Sequence, residues 1–351
     1  MHKRPSAPAA YVLAKMSEMV IRLVVLPAQA PQAPQTPDQV SWLTDSEKLD
    51  MTRRSARAAG IAQAAHAAGA TVTAQVSEAN SIVWLAMGDP APLIEILDAN
   101  PQINWVQLPW AGVENFLQGG LFDRSTNFTC AKGAYGTQVA EHALMLMLSL
   151  MRHTVSQARH NSWQVIEPDS LFGKRVTIVG AGGIATELLK LLAPFGVTTT
   201  IVRKQNVSVV GASSTRTIDD LHDVLPTTDV LVLALSLTPE TTMIIGKDEL
   251  ALLPDSAYVI NVARGGHIDH DALADALNNA MLAGAGLDVT APEPLPDDSP
   301  LWQMDNVLIT SHCADSYAYV SDQLAKRVAD NVAALHAEQP LIGLVNKSAG
   351  Y

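Results

Sequence analysis

Along most of the chain, short apolar runs alternate with longer stretches in which apolar residues recur at helical spacing. Strands are predicted at 20–26, 70–74, 81–87 and 103–108, with helices at 56–68, ending before Gly69, and at 91–99. A long Met- and Leu-rich helix follows at 138–152. A second series then places strands at 175–180, 197–202, 229–235, 257–262, 285–289 and 307–310, each followed by a helical or loop segment. Such alternation implies an α/β chain whose doubly wound, mostly parallel sheets are covered on both faces. The 138–152 helix is apolar nearly all round, which predicts cover on every side, and a subunit interface would provide it. A last helix is expected at 316–336, able to pack back on the first domain.

The length of 351 residues suits two domains. Residues 1–19 read as a disordered leader rich in Pro, Ala and basic residues, and 29–41 as a Pro- and Gln-rich loop. One domain is expected to comprise 20–136 with 316–345, and the second, 137–315, to be inserted within it. The run from Val20 to Leu26 is followed by Ala28-Gln29-Ala30, a pattern found at cleavage sites. However, Arg22 interrupts the run and Glu18 precedes it, so a first strand is expected instead of a secretion signal.

The 35 acidic and 23 basic side chains give a formal charge of −12, which disfavours nucleic acid and anionic membranes as partners. No apolar run is long enough to span a bilayer. Two cysteines, Cys130 and Cys313, are too few and too far apart for a disulfide framework or a metal site. A reducing, cytoplasmic location is the expectation they support.

The chemistry begins at Val176-Thr177-Ile178-Val179, a buried-strand run ending in Gly180-Ala181-Gly182-Gly183-Ile184-Ala185. Gly180 permits a tight turn, Gly182 lets the backbone approach a pyrophosphate, and the small Ala185 allows close packing of helix on strand. The free N–H groups and positive dipole of the following helix favour phosphate. A dinucleotide is the ligand this pattern fits. The next strand ends in Arg203-Lys204, without the acidic residue that would bind the ribose 2′-hydroxyl of NAD. Two cations there suit a 2′-phosphate, so NADP(H) is preferred and NAD(H) remains possible; the competing reading is a pair of solvated loop charges.

Three later strands end in polar groups: Arg264 in Asn261-Val262-Ala263-Arg264-Gly265-Gly266, Asp288 and Glu293 in Gly286-Leu287-Asp288-Val289-Thr290-Ala291-Pro292-Glu293-Pro294, and His312 in Thr310-Ser311-His312. In doubly wound sheets the strand carboxyl ends line the ligand crevice.

These motifs, in this order and spacing from Leu108 to beyond His312, resemble those of the D-isomer-specific 2-hydroxyacid dehydrogenases. The resemblance is to members of glyoxylate/hydroxypyruvate reductase type. It implies a Rossmann cofactor domain inserted into a flavodoxin-like substrate domain, with hydride transfer between NADP(H) and a small 2-keto or 2-hydroxy acid. It implies Arg264 as the substrate-binding arginine, His312 as acid/base and Glu293 as its carboxylate partner. It also implies that Ala111, Gly112 and Val113 face the substrate, and that Gly183 and Ile184 lie at the pyrophosphate. Leu235 and Val262 would flank the cofactor and Asp288 would meet the nicotinamide carboxamide, although Asp288 also reads as a strand-end turn residue. A homodimer through the 138–152 helix is expected.

Departures from the family pattern are Ser236 and Ser311, where proline is common, and Cys313 beside His312, which reads as a reactive thiol or an inert packing residue. Trp84 and Trp110 read either as a narrowed substrate pocket or as core. Two alternatives remain from the sequence: an NAD-linked dehydrogenase of bulkier substrates, and a dinucleotide-sensing scaffold without catalysis.

Overall fold

A computed structural model describes residues 20–26, 45–86, 89–163 and 165–347. The expected leader and the 29–41 loop lie outside the described residues. By internal contacts the chain divides into two compact units, one reaching Ala134 and resuming at Tyr317, the other Tyr135–Ser316.

In the first unit five strands run parallel: β1 (Arg22–Leu26), β2 (Thr71–Val72), β3 (Ser81–Trp84), β4 (Trp105–Gln107) and β5 (Asn127–Thr129). Their order, β2-β1-β3-β4-β5, is the flavodoxin-like order. Helix α1 (Asp45–Ala67) packs along the C-terminal helix Tyr317–His336, and α2 (Ala91–Ala99) buries Leu93 and Leu97. The core gathers Val24, Ile82, Trp84, Val106, Leu108 and Phe128. Trp84 is therefore a core residue here.

This core also holds a neutral polar network. Trp105 Nε1 donates to Thr129 Oγ1 (2.9 Å), and Thr129 Oγ1 donates to Gln107 Oε1 (2.8 Å). Asn331 on the C-terminal helix donates to the same Gln107 oxygen (3.2 Å) and accepts from the Ile342 N–H (2.7 Å). Because Gln107, Thr129 and Asn331 are fully buried, each unmade bond would leave a dehydrated polar group.

The second unit carries seven parallel strands: β6 (Arg175–Val179), β7 (Thr198–Arg203), β8 (Ser214–Thr217), β9 (Val230–Leu233), β10 (Tyr258–Asn261), β11 (Gly284–Leu287) and β12 (Val307–Ile309). The order β12-β11-β10-β9-β6-β7-β8 reverses direction at β6, as in a dinucleotide-binding sheet. The unit's helices are α3 (Gly136–Met151), α4 (Thr154–Arg159), α5 (Gly183–Leu192), α6 (Leu221–Val224), α7 (Lys247–Leu252) and α8 (His270–Asn278).

Helix α3 packs closely within its own unit. Its buried face, including Val139, Ala143, Leu146, Met147 and Leu150, packs on α5, β10, β11 and β12 of the same unit. Thr137, Glu141 and Met145 are exposed in the single chain. The sheet itself determines how closely α3 lies. A Cβ at Gly286 would stand 3.0 Å from Leu146 Cβ, and one at Gly284 3.5 Å from Leu150 Cδ2. These two glycines leave the strand bare where the helix crosses it.

Candidate active site

At the turn after β6, Gly180 has φ +116°, and a Cβ there would collide with the Ala234 carbonyl at the end of β9. Only glycine fits, which keeps the ends of β6 and β9 close. Gly182, the N-cap of α5, has nothing within 4 Å of an added Cβ position. The space beside it is therefore open, as close approach of a pyrophosphate requires. Helix α5 starts at Gly183 itself, because burial of Ala185, Leu188, Leu189 and Leu192 outweighs the poor helix propensity of glycine. Ile184 lies in its first turn.

Arg203 ends β7, and its Nη1 donates to Val207 O (3.3 Å). Lys204 is exposed, and its charge helps hold Glu240, whose hydrogen bond to Thr238 is the main cause, below the usual carboxylate range. Leu235 is partly buried and Val262 is buried, both just past strand ends. His267, fully buried, was not expected from the sequence. Its ring nitrogens face Thr241 O (2.9 Å) and Leu235 O (3.3 Å), bracing the loop after β9 in which Ser236 stands.

The second cluster lies past β10, β11 and β12. Asn261, fully buried at the end of β10, accepts from the Ala263 N–H (3.1 Å) and donates to Arg264 O (2.9 Å). It shapes the turn that presents Arg264, whose Nη1 donates to Ala263 O (2.7 Å). At Gly265 a Cβ would collide with the Thr290 carbonyl, so the Arg264 turn rests directly on the loop leading to Glu293. His270 supports that loop from α8. Burial keeps its pKa below the ordinary value, so at neutral pH its Nδ1–H donates to Ile268 O (3.1 Å) and its Nε2 accepts from the Ala291 N–H (3.4 Å).

His312 and Glu293 meet directly: Nδ1–H donates to Oε1 at 2.6 Å, and both side chains are nearly half exposed. With Nδ1 engaged, Nε2 is the nitrogen left to exchange a proton with a ligand. His312 has φ +50°, a left-handed backbone for a residue with a side chain. Asp288 holds it there, since its carbonyl accepts the His312 N–H (2.8 Å) and its Oδ1 accepts the Cys313 N–H (3.0 Å). Burial pushes the Asp288 carboxyl up, but donors from His142, Thr310 and Cys313 outweigh it and keep the group below the usual range. Cys313 is exposed rather than packed.

The structure thus brings Glu293 and His312 into contact, ties Asp288 to the same loop and sets the Arg264 turn against the Glu293 loop. Ala111, Gly112 and Val113 lie in the first unit after β4, exposed, half-buried and buried in turn. Among the described residues, no group of three or more His, Cys, Asp or Glu could hold a metal, and no helix is long and apolar enough to cross a membrane.

Residues 144–314 match the model of the D-isomer specific 2-hydroxyacid dehydrogenase, NAD binding domain. A glyoxylate reductase of Thermofilum pendens is 31% identical, covering 72% of this chain and 78% of its own. An uncharacterized protein in the proB 3′ region of Corynebacterium melassecola is 37% identical, over 73% of this chain and 86% of its own. A solved D-isomer specific 2-hydroxyacid dehydrogenase of Xanthobacter autotrophicus, in complex with NADPH and MES, is 25% identical and superposes with a TM-score of 0.74, over 95% of this chain and all of that one. The chain spans about half the length (49%) of the mycobacterial D-3-phosphoglycerate dehydrogenases that it also matches.

Proposed function

The chain belongs to the D-isomer specific 2-hydroxyacid dehydrogenase family of NAD(P)-dependent oxidoreductases, and we propose that it reduces a small 2-keto acid, of glyoxylate or hydroxypyruvate type, to the D-2-hydroxy acid with NADPH. The observation that carries this reading is the 2.6 Å pair of His312 and Glu293, one loop from Arg264 at the carboxyl ends of adjacent strands.

The open space at Gly182 and the start of α5 fit a dinucleotide pyrophosphate, with Gly180, Gly183 and Ile184 completing the turn. Leu235, Val262 and Asp288 would border its nicotinamide half. When bound, the dinucleotide supplies the hydride. Arg264 pairs with the keto acid through carboxylate and carbonyl oxygens, which orients the carbonyl carbon. His312 Nε2–H gives its proton to the carbonyl oxygen as that oxygen gains charge. The ring is left neutral, its Nδ1–H still on Glu293, and takes a new proton from solvent. Glu293, accepting from Nδ1–H, fixes the orientation of the ring.

Arg203, with Lys204 next to it and no carboxylate in their place, is assigned the NADP 2′-phosphate. Tyr135–Ser316 would be the cofactor domain, and the first unit, with Ala111-Gly112-Val113, the substrate domain. A second copy would cover exposed apolar residues of the second unit, Met145, Val165, Phe172 and Trp163, the last 95% exposed, giving a homodimer. A panel of 2-keto acids with both nicotinamide cofactors tests the reading. NADPH oxidation yielding a D-configured product is the expected result; no oxidation with any keto acid would overturn it.

A further inference from the structure

Helix α3 carries one imidazole, His142, one turn from Val139 and Leu146, and the proposed chemistry does not use it. Its place follows from the bare glycines of β11. Leu146 sits over Gly286. One helical turn back, about 6 Å, leads to His142, while two residues onward along the strand, about 6.6 Å, lead to Asp288. The two side chains meet there. His142 Nε2 lies 2.9 Å from Thr310 Oγ1 and 3.3 Å from Asp288 Oδ1. Thr310 has a single hydroxyl proton, which it donates to Asp288 Oδ1 at 2.6 Å. Its oxygen must then accept from His142, so His142 carries its proton on Nε2.

Asp288 is 2% exposed and is the anchor of the left-handed turn at His312. We propose that His142 is a positioning residue which, through Thr310 and Asp288, holds the His312 loop in its reactive geometry. This rests on the proposed role of His312 as acid/base. It assigns to a residue of the inter-strand helix a part that is separate from both ligands: His142 contacts the strand ends that aim the acid, not the acid itself.

Three variants test it: His142→Leu, His142→Gln and His142→Asn. Gln places an amide nitrogen near the Nε2 position, whereas Asn reaches only as far as Nδ1. Amide hydrogen exchange of the 311–314 segment is read alongside kcat and the keto acid KM. We expect His142→Leu and His142→Asn to speed exchange there and to lower kcat about tenfold, with KM changed less than threefold, and His142→Gln to restore both. Unchanged exchange in His142→Leu, or faster exchange with full kcat, would overturn the proposal. Equal defects in Gln and Asn would also overturn it, since they would show a packing role alone. The exchange readout needs no turnover, so it stands apart from the acid/base reading, which fails separately if His312→Asn remains active.

Discussion

Two buried polar networks in this protein invite comparison. In the first unit, Trp105, Gln107, Thr129 and Asn331 join strands β4 and β5 to the C-terminal helix through neutral amides and hydroxyls. In the second unit, His142, Thr310 and Asp288 join α3 to the ends of β11 and β12, but with a carboxylate at the centre and a strained backbone at its edge. The first network ends in the core. The second opens onto a half-exposed His–Glu pair. A satisfied neutral network fixes one packing arrangement, whereas a charged network that reaches solvent can hold a proton donor in place and let it exchange.

Between the two regions, the larger expected effect comes from breaking the second at its tightest backbone contact. Gly265→Ala forces a Cβ into the Thr290 carbonyl, separating the Arg264 turn from the Glu293 loop. Turnover should fall about 100-fold, the scale of an ångström of misplacement in a catalytic group, with folding checked by thermal melting. In the first region, Asn331→Leu leaves Gln107 Oε1 short of a donor and the Ile342 N–H unpaired. It should cost about 2 kcal/mol in denaturant unfolding. kcat per folded molecule should stay the same, and a fall in kcat would erase the distinction between the networks.

Most of the candidate site was legible because it sits where strand runs end. The strands β6, β9, β10 and β11 are mostly apolar and buried along nearly their whole length, so the positions just past them, and with them Arg264, Asp288 and Glu293, stood out, as did His312 just past the short apolar run of β12. Two edge strands, β5 and β8, did not stand out. β5 is three residues long, and β8, Ser-Thr-Arg-Thr, has no apolar residue because an edge strand need not be covered on both faces. Helix α1 starts at Asp45, ahead of the expected Ala56, since its early turns are too polar to show a period. His142 and His267 were missed for another reason. Each contacts residues far away in sequence, and for His142 the one sign was the Gly284–Gly286 spacing that lets α3 approach β11.

A smaller effect sharpens the cofactor assignment. Arg203→Ala should raise the NADPH KM about tenfold, the value of one charge-assisted hydrogen bond, while leaving the NADH KM unchanged. Equal changes with both cofactors would place Arg203 outside the 2′-phosphate site.

The smallest concerns Asp229, a charge pair remote from both networks. Its hydrogen bonds from Arg175 Nη2 (2.6 Å) and Nε (3.0 Å) hold its pKa below the ordinary value. A carboxyl depressed by folding contributes stability above its unfolded pKa, and that contribution disappears as pH falls through the folded pKa. Asp229→Asn should therefore lower stability at neutral pH by under about 1 kcal/mol, with Arg175 half exposed, and the gap should close in acid. Melting curves at several pH values would show it, and a gap that widens in acid would reverse the sign.

On this reading the second network serves the proton of His312. The most direct measurement is the turnover of His312→Asn beside the unmodified enzyme, with NADPH and the best keto acid of the panel. Loss of an acid/base group predicts a fall in kcat of about 10²- to 10⁴-fold, with NADPH binding unchanged. Turnover within a few-fold of the unmodified enzyme would contradict the account.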